Sequence, residues 1–361
     1  MLVGALHTNP IHIFQFFIST KMEVKVKQLF EKLLLQKSLT IEESYSIFKK
    51  IMENEISPIQ ASAFLSILKM KGEQVSEIIG AVKLLREKAE KINIKGKKVG
   101  DTCGTGGDRS ETFNISTAAG IVGFGAGLTI AKHGNRAITS KCGSADVMEK
   151  LGFNINIPIE KNKEILEKFG FSFFFAPFYH PAMKNIAPVR KDLPFRTIFN
   201  IIGPLTNPVR TSFQIMGVSE YKLLYLIPPV FKNLNIDGFV FFSEDGIDEI
   251  SLTGKTFIVE INKRGIREYE IYPQNFGMKK CSINDLKGGT PDENKEIIMR
   301  ILQNKEKGAK RDIVILNSAF LLNASGKVDN IKEGIELSKR IIEKGIAYKK
   351  FMELVENLQK L

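Results

Sequence analysis

Cysteines, long apolar runs and repeats are scarce or absent in this chain. Cys103, Cys142 and Cys281 are its only cysteines, and they are too few and too scattered for a disulfide framework or a tetrahedral metal site. We therefore expect reduced thiols in a cytoplasmic protein, and no structural zinc. The apolar stretch at residues 11–19 is too short to span a bilayer, so no membrane attachment is expected. The absence of internal repeats and low-complexity linkers argues against a repeat array.

The charge balance is basic but lacks a nucleic-acid signature. The 361 residues are 43% hydrophobic and 25% charged, which is typical of a soluble globular protein with one substantial domain and a smaller one. The formal net charge is +12, yet lysines and arginines are dispersed among acids rather than gathered in an arm or block. A polyanionic small substrate or a lysine-rich proteome explains this charge as well. We expect no nucleic-acid partner.

The first 21 residues differ from the rest of the chain. They lack the basic stretch and the small cleavage-site residues that accompany the apolar run of a signal peptide. Met22 opens a well-formed helical pattern. We therefore interpret residues 1–21 as an extension that is either disordered or the product of an upstream start.

Residues 22–92 carry the apolar spacing of helices. Thr40 and Glu43 fit a capping box, which marks a helix start. Ser57 followed by Pro58 marks a second start. This stretch predicts a small all-helical N-terminal domain, to which we assign dimerisation.

Beyond residue 97, short β-rich runs alternate with helical stretches, and this alternation predicts an α/β domain with a central, largely parallel sheet. The β-rich residues 255–272 predict a hairpin at the far edge, and residues 331–361 return to amphipathic helix. We assign residues 93–361 to this larger domain, with its late helices as candidates to return to the helical domain.

The glycine-rich sequence GTGGD, residues 104–108, follows a predicted strand. Glycines there let backbone N–H groups approach a phosphate, but such turns also occur for purely steric reasons. The sequence is neither a Walker loop nor a dinucleotide fingerprint. Asn114, Ser116 and Thr117 follow at a predicted helix start, where free amides and hydroxyls attract anions. Ordinary helix capping is the alternative for these side chains.

A second polar segment, KHGNR, comprises residues 132–136 directly after a predicted strand. Lys132 can neutralise phosphate charge, and Asn135 can donate and accept hydrogen bonds to a second ligand. His133 is either a base or a wall residue, and we favour the wall because no carboxylate orienter is evident. The hydroxyl of Ser144 is a further ligand group or a helix cap.

The chain resembles the anthranilate phosphoribosyltransferases, which catalyse the second step of tryptophan biosynthesis. The motifs in family order are GTGGD, NIST, KHGNRAITSKCGSADVMEKLG, HPAMKNIAPVRKDLPFRTIFNIIGPLTNP and DGIDEIS. The similarity runs from about residue 22 to the C-terminus. It departs from the family at Pro194, where glycine is usual, and at Cys142, where serine is common. The resemblance implies a homodimer that transfers the 5-phosphoribosyl group of 5-phosphoribosyl 1-diphosphate (PRPP) to the anthranilate amine.

The resemblance also implies three sets of site residues. The PRPP set is Gly104, Gly107, Asp108, Thr112, Asn114, Ile115, Ser116, Thr117, Lys132, His133, Gly134, Asn135, Arg136, Ala137, Ile138, Thr139, Ser140 and Ser144. The anthranilate set is Gly104, Asn135 and Arg190, with His133, His180 and Pro204 as walls. The magnesium set, for two ions per subunit, is Ser116, Asp248 and Glu249.

The chemistry explains why no strong acid or base stands out. Departure of diphosphate from the ribose requires charge neutralisation, and the neutral aniline nitrogen requires orientation more than deprotonation. We assign these roles to Lys132, Asn135 and Arg190. The alternative for Arg190 is a structural ion pair, and the alternative for adjacent carboxylates is a solvated surface. Two competing functions stay open, a pyrimidine nucleoside phosphorylase-like enzyme and a non-catalytic relative that binds nucleic acid.

Overall fold

The computed structural model describes residues 26–107, 110–137 and 141–360 of the chain. The extension predicted at residues 1–21 lies outside this part. So do four residues that the resemblance assigns to PRPP, namely Asp108, Ile138, Thr139 and Ser140.

The chain divides into two compact units. The helical unit holds the residues up to Leu84 together with Lys184–Ile198, and the α/β unit holds Leu85–Met183 and Phe199–Leu361. No local pattern in the sequence indicates that Lys184–Ile198 belongs to the helical unit, because this segment joins the unit through contacts between residues far apart in the chain.

The first described helix, α1, covers residues 26–34. The other helices in the described residues are α2 (Ile41–Met52), α3 (Pro58–Lys71), α4 (Val75–Lys88), α5 (Ile115–Gly125), α6 (Ser144–Lys150), α7 (Ile159–Phe169), α8 (Ala176–Tyr179), α9 (Ala187–Asp192), α10 (Ile198–Ile202), α11 (Leu223–Leu234), α12 (Pro291–Leu302), α13 (Ala309–Ala324), α14 (Ile331–Glu343) and α15 (Ile346–Leu358). The strands are β1 (Val99–Gly104), β2 (Thr129–Gly134), β3 (Phe171–Phe175), β4 (Phe213–Gly217), β5 (Asp237–Ser243), β6 (Thr256–Asn262) and β7 (Gly265–Ile271).

The helix starts of the helical unit follow the predicted capping chemistry. The Thr40 hydroxyl accepts the Glu43 N–H at the start of α2, at 3.2 Å. Ser57 caps α3 in the same way, with Pro58 at the first helical position. Both predicted starts are confirmed. Inside this unit, Phe48 packs edge-on against Phe64 at 5.4 Å between ring centroids, so aromatic rings fill the space between the helices.

The described strands form one sheet in the order β3-β2-β1-β4-β5-β6-β7. The first five in this order are parallel, and β6 and β7 are antiparallel. The predicted hairpin at residues 255–272 is therefore confirmed, as is the fold class of a small helical part and a larger α/β part with a largely parallel sheet. The chain runs outward from β1 to β3 and then returns to place β4 on the other side of β1. Ligands of open α/β sheets bind beyond the carboxyl ends of the strands at such a reversal.

The C-terminal helices belong to the α/β unit. Helices α13, α14 and α15 all contact α5, an apolar helix buried along nearly its whole length. A return of the late helices to the helical unit stays a prediction. The amphipathic helical stretch predicted at residues 331–361 consists of two helices, α14 and α15, because Gly345 has φ +62° and breaks the helical path. In the described residues, no helix is long and apolar enough to cross a membrane.

Candidate active site

The glycine-rich turn begins where β1 ends, at the reversal point of the sheet. Gly106 and Gly107 have φ +63° and +71°, values that glycine adopts without strain. The Gly106 N–H donates to the Asp248 carboxylate at 2.6 Å. A Cβ on Gly104 would overlap that same carboxylate. The turn therefore needs glycine to bring its backbone against Asp248.

The start of α5 faces the neighbouring carboxylate. The Ser116 N–H donates to Glu249 Oε1 at 3.0 Å, so a carboxylate already occupies part of the positive end of this helix. The Thr117 hydroxyl is buried and has no hydrogen-bond partner among the described residues. The first turn of α5 thus already binds one carboxylate at the anion-attracting end that the sequence predicts.

The adjacent residues Asp248 and Glu249 bind two different elements through their carboxylates, the glycine-rich turn and the start of α5. Glu249 is 8% exposed, and a Cβ on Gly217, at the end of β4, would overlap the Asp248 backbone. This close approach fixes the pair at the carboxyl ends of β1 and β4. The predicted alternative of a solvated surface pair does not describe Glu249.

The carboxylate pair fits magnesium. Magnesium prefers hard oxygen ligands and is usually held by one or two carboxylates, with substrate phosphates and water completing the shell. Asp248 and Glu249 supply such oxygens beside the Ser116 position. In the part of the chain that the structure describes, no group of three or more His, Cys, Asp or Glu side chains could hold a metal ion. A cation here would therefore depend on substrate oxygens for the remaining positions.

The Asn114 side chain is engaged within the protein. Its amide donates to the Cys142 carbonyl at 3.2 Å, and its oxygen accepts from the Asn294 amide at 2.9 Å. The Cys142 thiol also donates to that oxygen, at 3.3 Å, and burial raises the pKa of this thiol to about 11. Cys142 therefore acts as a protonated donor where serine is common in the family. This network joins the start of α5 to the loop before α6.

A buried carboxylate that the sequence reasoning missed lies behind Lys132. Asp101 in β1 is fully buried and accepts from the Thr102 N–H and from the Asn207 amide, each at 2.8 Å. Burial raises its pKa to about 6, against the opposing effect of Lys132. Lys132 is 2% exposed and donates to the Thr102 carbonyl. An acidic residue inside a β-rich run is a signal that could have found Asp101, because a buried charge needs partners.

Two predicted wall residues lie together. The His133 and His180 rings meet edge-on at 5.4 Å, both are buried, and neither Nε2 has a hydrogen-bond partner in the described residues. The pKa of His133 is held well below its ordinary range, mainly by burial and to a smaller extent by the nearby His180. Burial lowers the pKa of His180 to about 4. Both rings are therefore neutral near pH 7.

Arg86, on α4, is a further cation near these rings that the sequence reasoning missed. Its Nε donates to the Leu205 carbonyl at 2.6 Å, and its charge contributes to the lowered pKa of both histidines. Pro204 lies beside this contact, in the single-turn helix Gly203–Leu205. Its carbonyl accepts from the Gln214 amide at 2.9 Å, which fixes this predicted wall to β4.

We expect His180 to make the stability of the protein sensitive to acid. Its pKa of about 4 in the folded state lies below the value of about 6.5 in unfolded chains. The stability from this group is present above pH 6.5 and is lost as the pH falls toward 4. Between pH 7 and pH 5 the loss is on the order of 2 kcal/mol. Denaturant unfolding of the wild-type and His180→Asn proteins at both pH values measures it. The variant should lose less stability, and equal losses would contradict the expectation.

The loop that carries Asn135 is tied to α6. The Asn135 carbonyl accepts from the Ala145 N–H at 3.1 Å and from the Ser144 hydroxyl at 3.4 Å. A Cβ on Gly134 would overlap that hydroxyl. The loop is therefore bonded to the start of α6. Ser144 is the first residue of this helix, and its hydroxyl points toward the loop.

Arg136 is held by α6 as well. It pairs with Glu149 through two hydrogen bonds of 2.6 and 2.9 Å, and with Asp146 at 3.0 Å. The Ala137 N–H donates to Asp146 at 2.9 Å. The carboxylates of α6 thus hold Arg136 and Ala137 in place, and a PRPP contact by Arg136 stays a prediction.

Three predicted residues remain to be described. Thr112 forms an isolated bridge with Lys287, and Ile115 is fully buried in the core. Arg190 is on α9 of the helical unit, where burial lowers its pKa. Its role in anthranilate binding stays a prediction that rests on the motif.

The chain matches two family descriptions. Residues 96–348 match the glycosyl transferase family, a/b domain, and residues 27–89 match the glycosyl transferase family, helical bundle domain. Curated relatives give the same picture over nearly the full chain. The chain is 42% identical to the anthranilate phosphoribosyltransferase of Persephonella marina, over 92% of this chain and 98% of the relative. It is 44% identical to the anthranilate phosphoribosyltransferase of Methanobrevibacter smithii, with coverage of 92% and 98%.

Solved structures agree with the sequence relatives. The anthranilate phosphoribosyltransferase from Thermus thermophilus aligns with TM-score 0.86 and 37% identity, over 91% of this chain and 99% of that one. The enzyme from Saccharomyces cerevisiae in complex with PRPP and Mg aligns with TM-score 0.86 and 26% identity, over 94% and 99%. The same yeast enzyme in complex with 4-fluoroanthranilate aligns with TM-score 0.84 and 25% identity, again over 94% and 99%.

Proposed function

Because the chain belongs to the glycosyl transferase family, and within it to the anthranilate phosphoribosyltransferases, we propose a reaction and a role for each part of its site. The chain transfers the 5-phosphoribosyl group of PRPP to the amine of anthranilate. The products are N-(5-phosphoribosyl)anthranilate and diphosphate, and the reaction is the second step of tryptophan biosynthesis. Magnesium is required.

The placement of Asp248 and Glu249 carries this proposal. Their carboxylates bond to the backbone of the glycine-rich turn and to the first turn of α5, the two elements that are suited to phosphate groups. An anion alone would be repelled by two carboxylates at this point. A diphosphate accompanied by a divalent cation would not, and PRPP is such a substrate.

The donor half of the site acts on the leaving group. The bond from ribose C1 to the diphosphate oxygen breaks, and its electron pair goes to the diphosphate. Amides of the turn and of α5 hold this group, and the buried charge of Lys132 adds positive potential behind it. Bound magnesium would neutralise the charge that develops on the diphosphate oxygens. We place it at Ser116, Asp248 and Glu249, with two ions per subunit.

The acceptor half of the site acts by orientation. The anthranilate nitrogen is neutral, so it attacks C1 without prior deprotonation, and after the new bond forms it loses one proton, which the departing diphosphate accepts. Asn135 would hold the amine and Arg190 the carboxylate, since a guanidinium binds two carboxylate oxygens in parallel. The neutral rings of His133 and His180 suit a wall beside an uncharged amine.

Three assignments rest on the resemblance. We assign the subunits to a homodimer and the enzyme to the cytoplasm. We also keep Asp108, Ile138, Thr139 and Ser140 in the PRPP site, although they lie outside the described residues.

Identification of the products by mass spectrometry after incubation with PRPP, anthranilate and magnesium tests the function. Phosphate-dependent cleavage of a pyrimidine nucleoside in place of that product would favour the phosphorylase alternative.

We expect Arg190→Ala to raise the KM for anthranilate by about 10- to 100-fold, because hydrogen bonds to a charged group contribute about 1.5–3 kcal/mol. The KM for PRPP should change little. Steady-state kinetics with each substrate varied in turn measures both constants. Arg190→Lys should give an intermediate value, since lysine keeps the charge and loses the planar fork.

Lys191 provides the control for this prediction. It is the next residue on α9 and is exposed, so Lys191→Ala removes one positive charge nearby without removing the fork. Its KM for anthranilate should stay near that of the wild type. Equal increases of both KM values in Arg190→Ala would exclude a specific role in anthranilate binding.

A further inference from the structure

A buried amide of α13 holds the backbone that follows the two carboxylates. Asn317 is fully buried. Its Oδ1 accepts from the Ile250 N–H at 3.1 Å, and its Nδ2 donates to the Ile250 carbonyl at 3.0 Å. One side-chain amide thus satisfies both backbone groups of the residue directly after Glu249. The peptide groups before and after Ile250 are therefore both held by the same side chain, and their buried polar atoms are satisfied by it.

Other contacts anchor the backbone of the same loop. The Ser243 hydroxyl donates to the Glu249 carbonyl at 2.6 Å and lies 2.9 Å from the Thr256 hydroxyl. The Ile247 and Ile250 side chains are fully buried. The backbone on both sides of Asp248 and Glu249 is therefore fixed, and these two side chains are the part of the loop that reaches the glycine-rich turn and α5.

We propose that Asn317 is a positioning residue for Asp248 and Glu249, and that its bonds to Ile250 set the affinity of the site for a divalent cation together with PRPP. The inference rests on the proposed function for the identity of these ligands. Asn317 touches neither ligand, and its effect passes through the loop backbone. Partners that orient metal ligands in this indirect way typically change metal affinity or activity by about 10- to 100-fold when they are removed.

Asn317→Ser separates the two tasks of the asparagine. The Asn317 amide also donates to the Ile313 carbonyl, one turn earlier in α13, at 2.9 Å. A serine hydroxyl in a helix can make that bond, but it is too short to reach both groups of Ile250. The variant therefore keeps the bond within the helix and loses the hold on the loop.

Two variants of α13 serve as controls. Ser318→Ala removes a fully buried hydroxyl at the neighbouring position, one that has no hydrogen-bond partner among the described residues. Leu321→Ala removes core packing from the same helix, near Gly123 of α5. It lowers stability and leaves the Asn317 bonds to Ile250 in place, so it reveals any effect that comes from general destabilisation.

The test measures Mn²⁺ binding to the full chain in the presence of PRPP, by the electron paramagnetic resonance signal of free Mn²⁺. We expect the Kd for Mn²⁺ to rise about tenfold in Asn317→Ser and to stay near the wild-type value in both controls. The KM for anthranilate should not change in any of them. A Kd for Asn317→Ser equal to that of Ser318→Ala would overturn the inference, and so would a matching rise in Leu321→Ala.

Amide exchange in the wild-type protein gives a second measurement, which needs no variant. The inference predicts slow exchange at the Ile250 N–H, and still slower exchange when Mn²⁺ and PRPP are bound. Exchange as fast as in an unstructured peptide would overturn it. Failure of the proposed function is distinguishable, because the wild-type protein would then bind Mn²⁺ and PRPP without forming product.

Discussion

Asp248→Asn is expected to lower kcat at saturating magnesium by about 10²- to 10³-fold, which is the usual effect of removing one preorganised group that stabilises developing charge. The substitution keeps the shape of the side chain and can still accept the Gly106 N–H. It removes the negative charge beside the glycine-rich turn, and with it one of the two carboxylates that suit a divalent cation. Steady-state kinetics over a range of magnesium concentrations measures the loss. The magnesium concentration for half-maximal rate should also rise.

Glu244 is the control for this result. It lies in the same connection between β5 and β6 and is exposed. Glu244→Gln therefore removes one negative charge from the loop but leaves the site intact. Its kinetics should match those of the wild-type enzyme. If Asp248→Asn retained full activity with the same magnesium dependence, Asp248 would have no part in metal or diphosphate binding.

Glu77→Gln is expected to destabilise the helical unit by about 3–5 kcal/mol, because breaking a buried ion pair leaves one charge uncompensated. The side chains of Lys71 and Glu77 are 3% and 0% exposed, and they meet at 3.0 Å. Glu77 also accepts the Leu39 N–H at 3.0 Å and the Gln74 N–H at 2.8 Å. This one carboxylate therefore joins the segment before α2 to the start of α4.

The comparison for this prediction is an exposed pair in the same unit. Lys27 and Glu31 lie 3.8 Å apart on α1, with side chains 77% and 58% exposed. Glu31→Gln should change stability by less than about 1 kcal/mol. Denaturant unfolding followed by circular dichroism measures both variants. Similar losses of stability in Glu77→Gln and Glu31→Gln would show that burial does not determine how much the Lys71–Glu77 ion pair stabilises the protein.

Local patterns in the sequence were sufficient for most of the fold. The capping side chains of Thr40 and Ser57 bond within one helical turn, so sequence spacing alone reveals them. The same holds for the hairpin of β6 and β7, whose partners are close in the chain. The pattern predicts helix over residues 331–361 but does not locate the break at Gly345, because a glycine in an amphipathic pattern is tolerated in many helices. Its φ of +62° shows that it separates α14 from α15.

The supporting side chains of the site could not be predicted, since their partners are distant in the sequence. Asp101 accepts from Asn207, and Asn317 holds Ile250. Neither pairing leaves a periodic pattern or a motif with fixed spacing. Motif resemblance named Asp248 and Glu249 but gave no reason for their exact placement. The reason is steric, because only glycine at Gly104 and Gly217 admits the Asp248 loop so close to β1 and β4.

Magnesium-dependent transfer of the phosphoribosyl group from PRPP to anthranilate can be observed directly. Anthranilate is fluorescent, and its fluorescence falls when its amine is substituted, so the reaction can be followed directly with purified protein, PRPP and magnesium. We expect a steady loss of fluorescence that stops when magnesium is removed by a chelator and resumes when it is restored. No loss of fluorescence with folded protein and saturating substrates would contradict it.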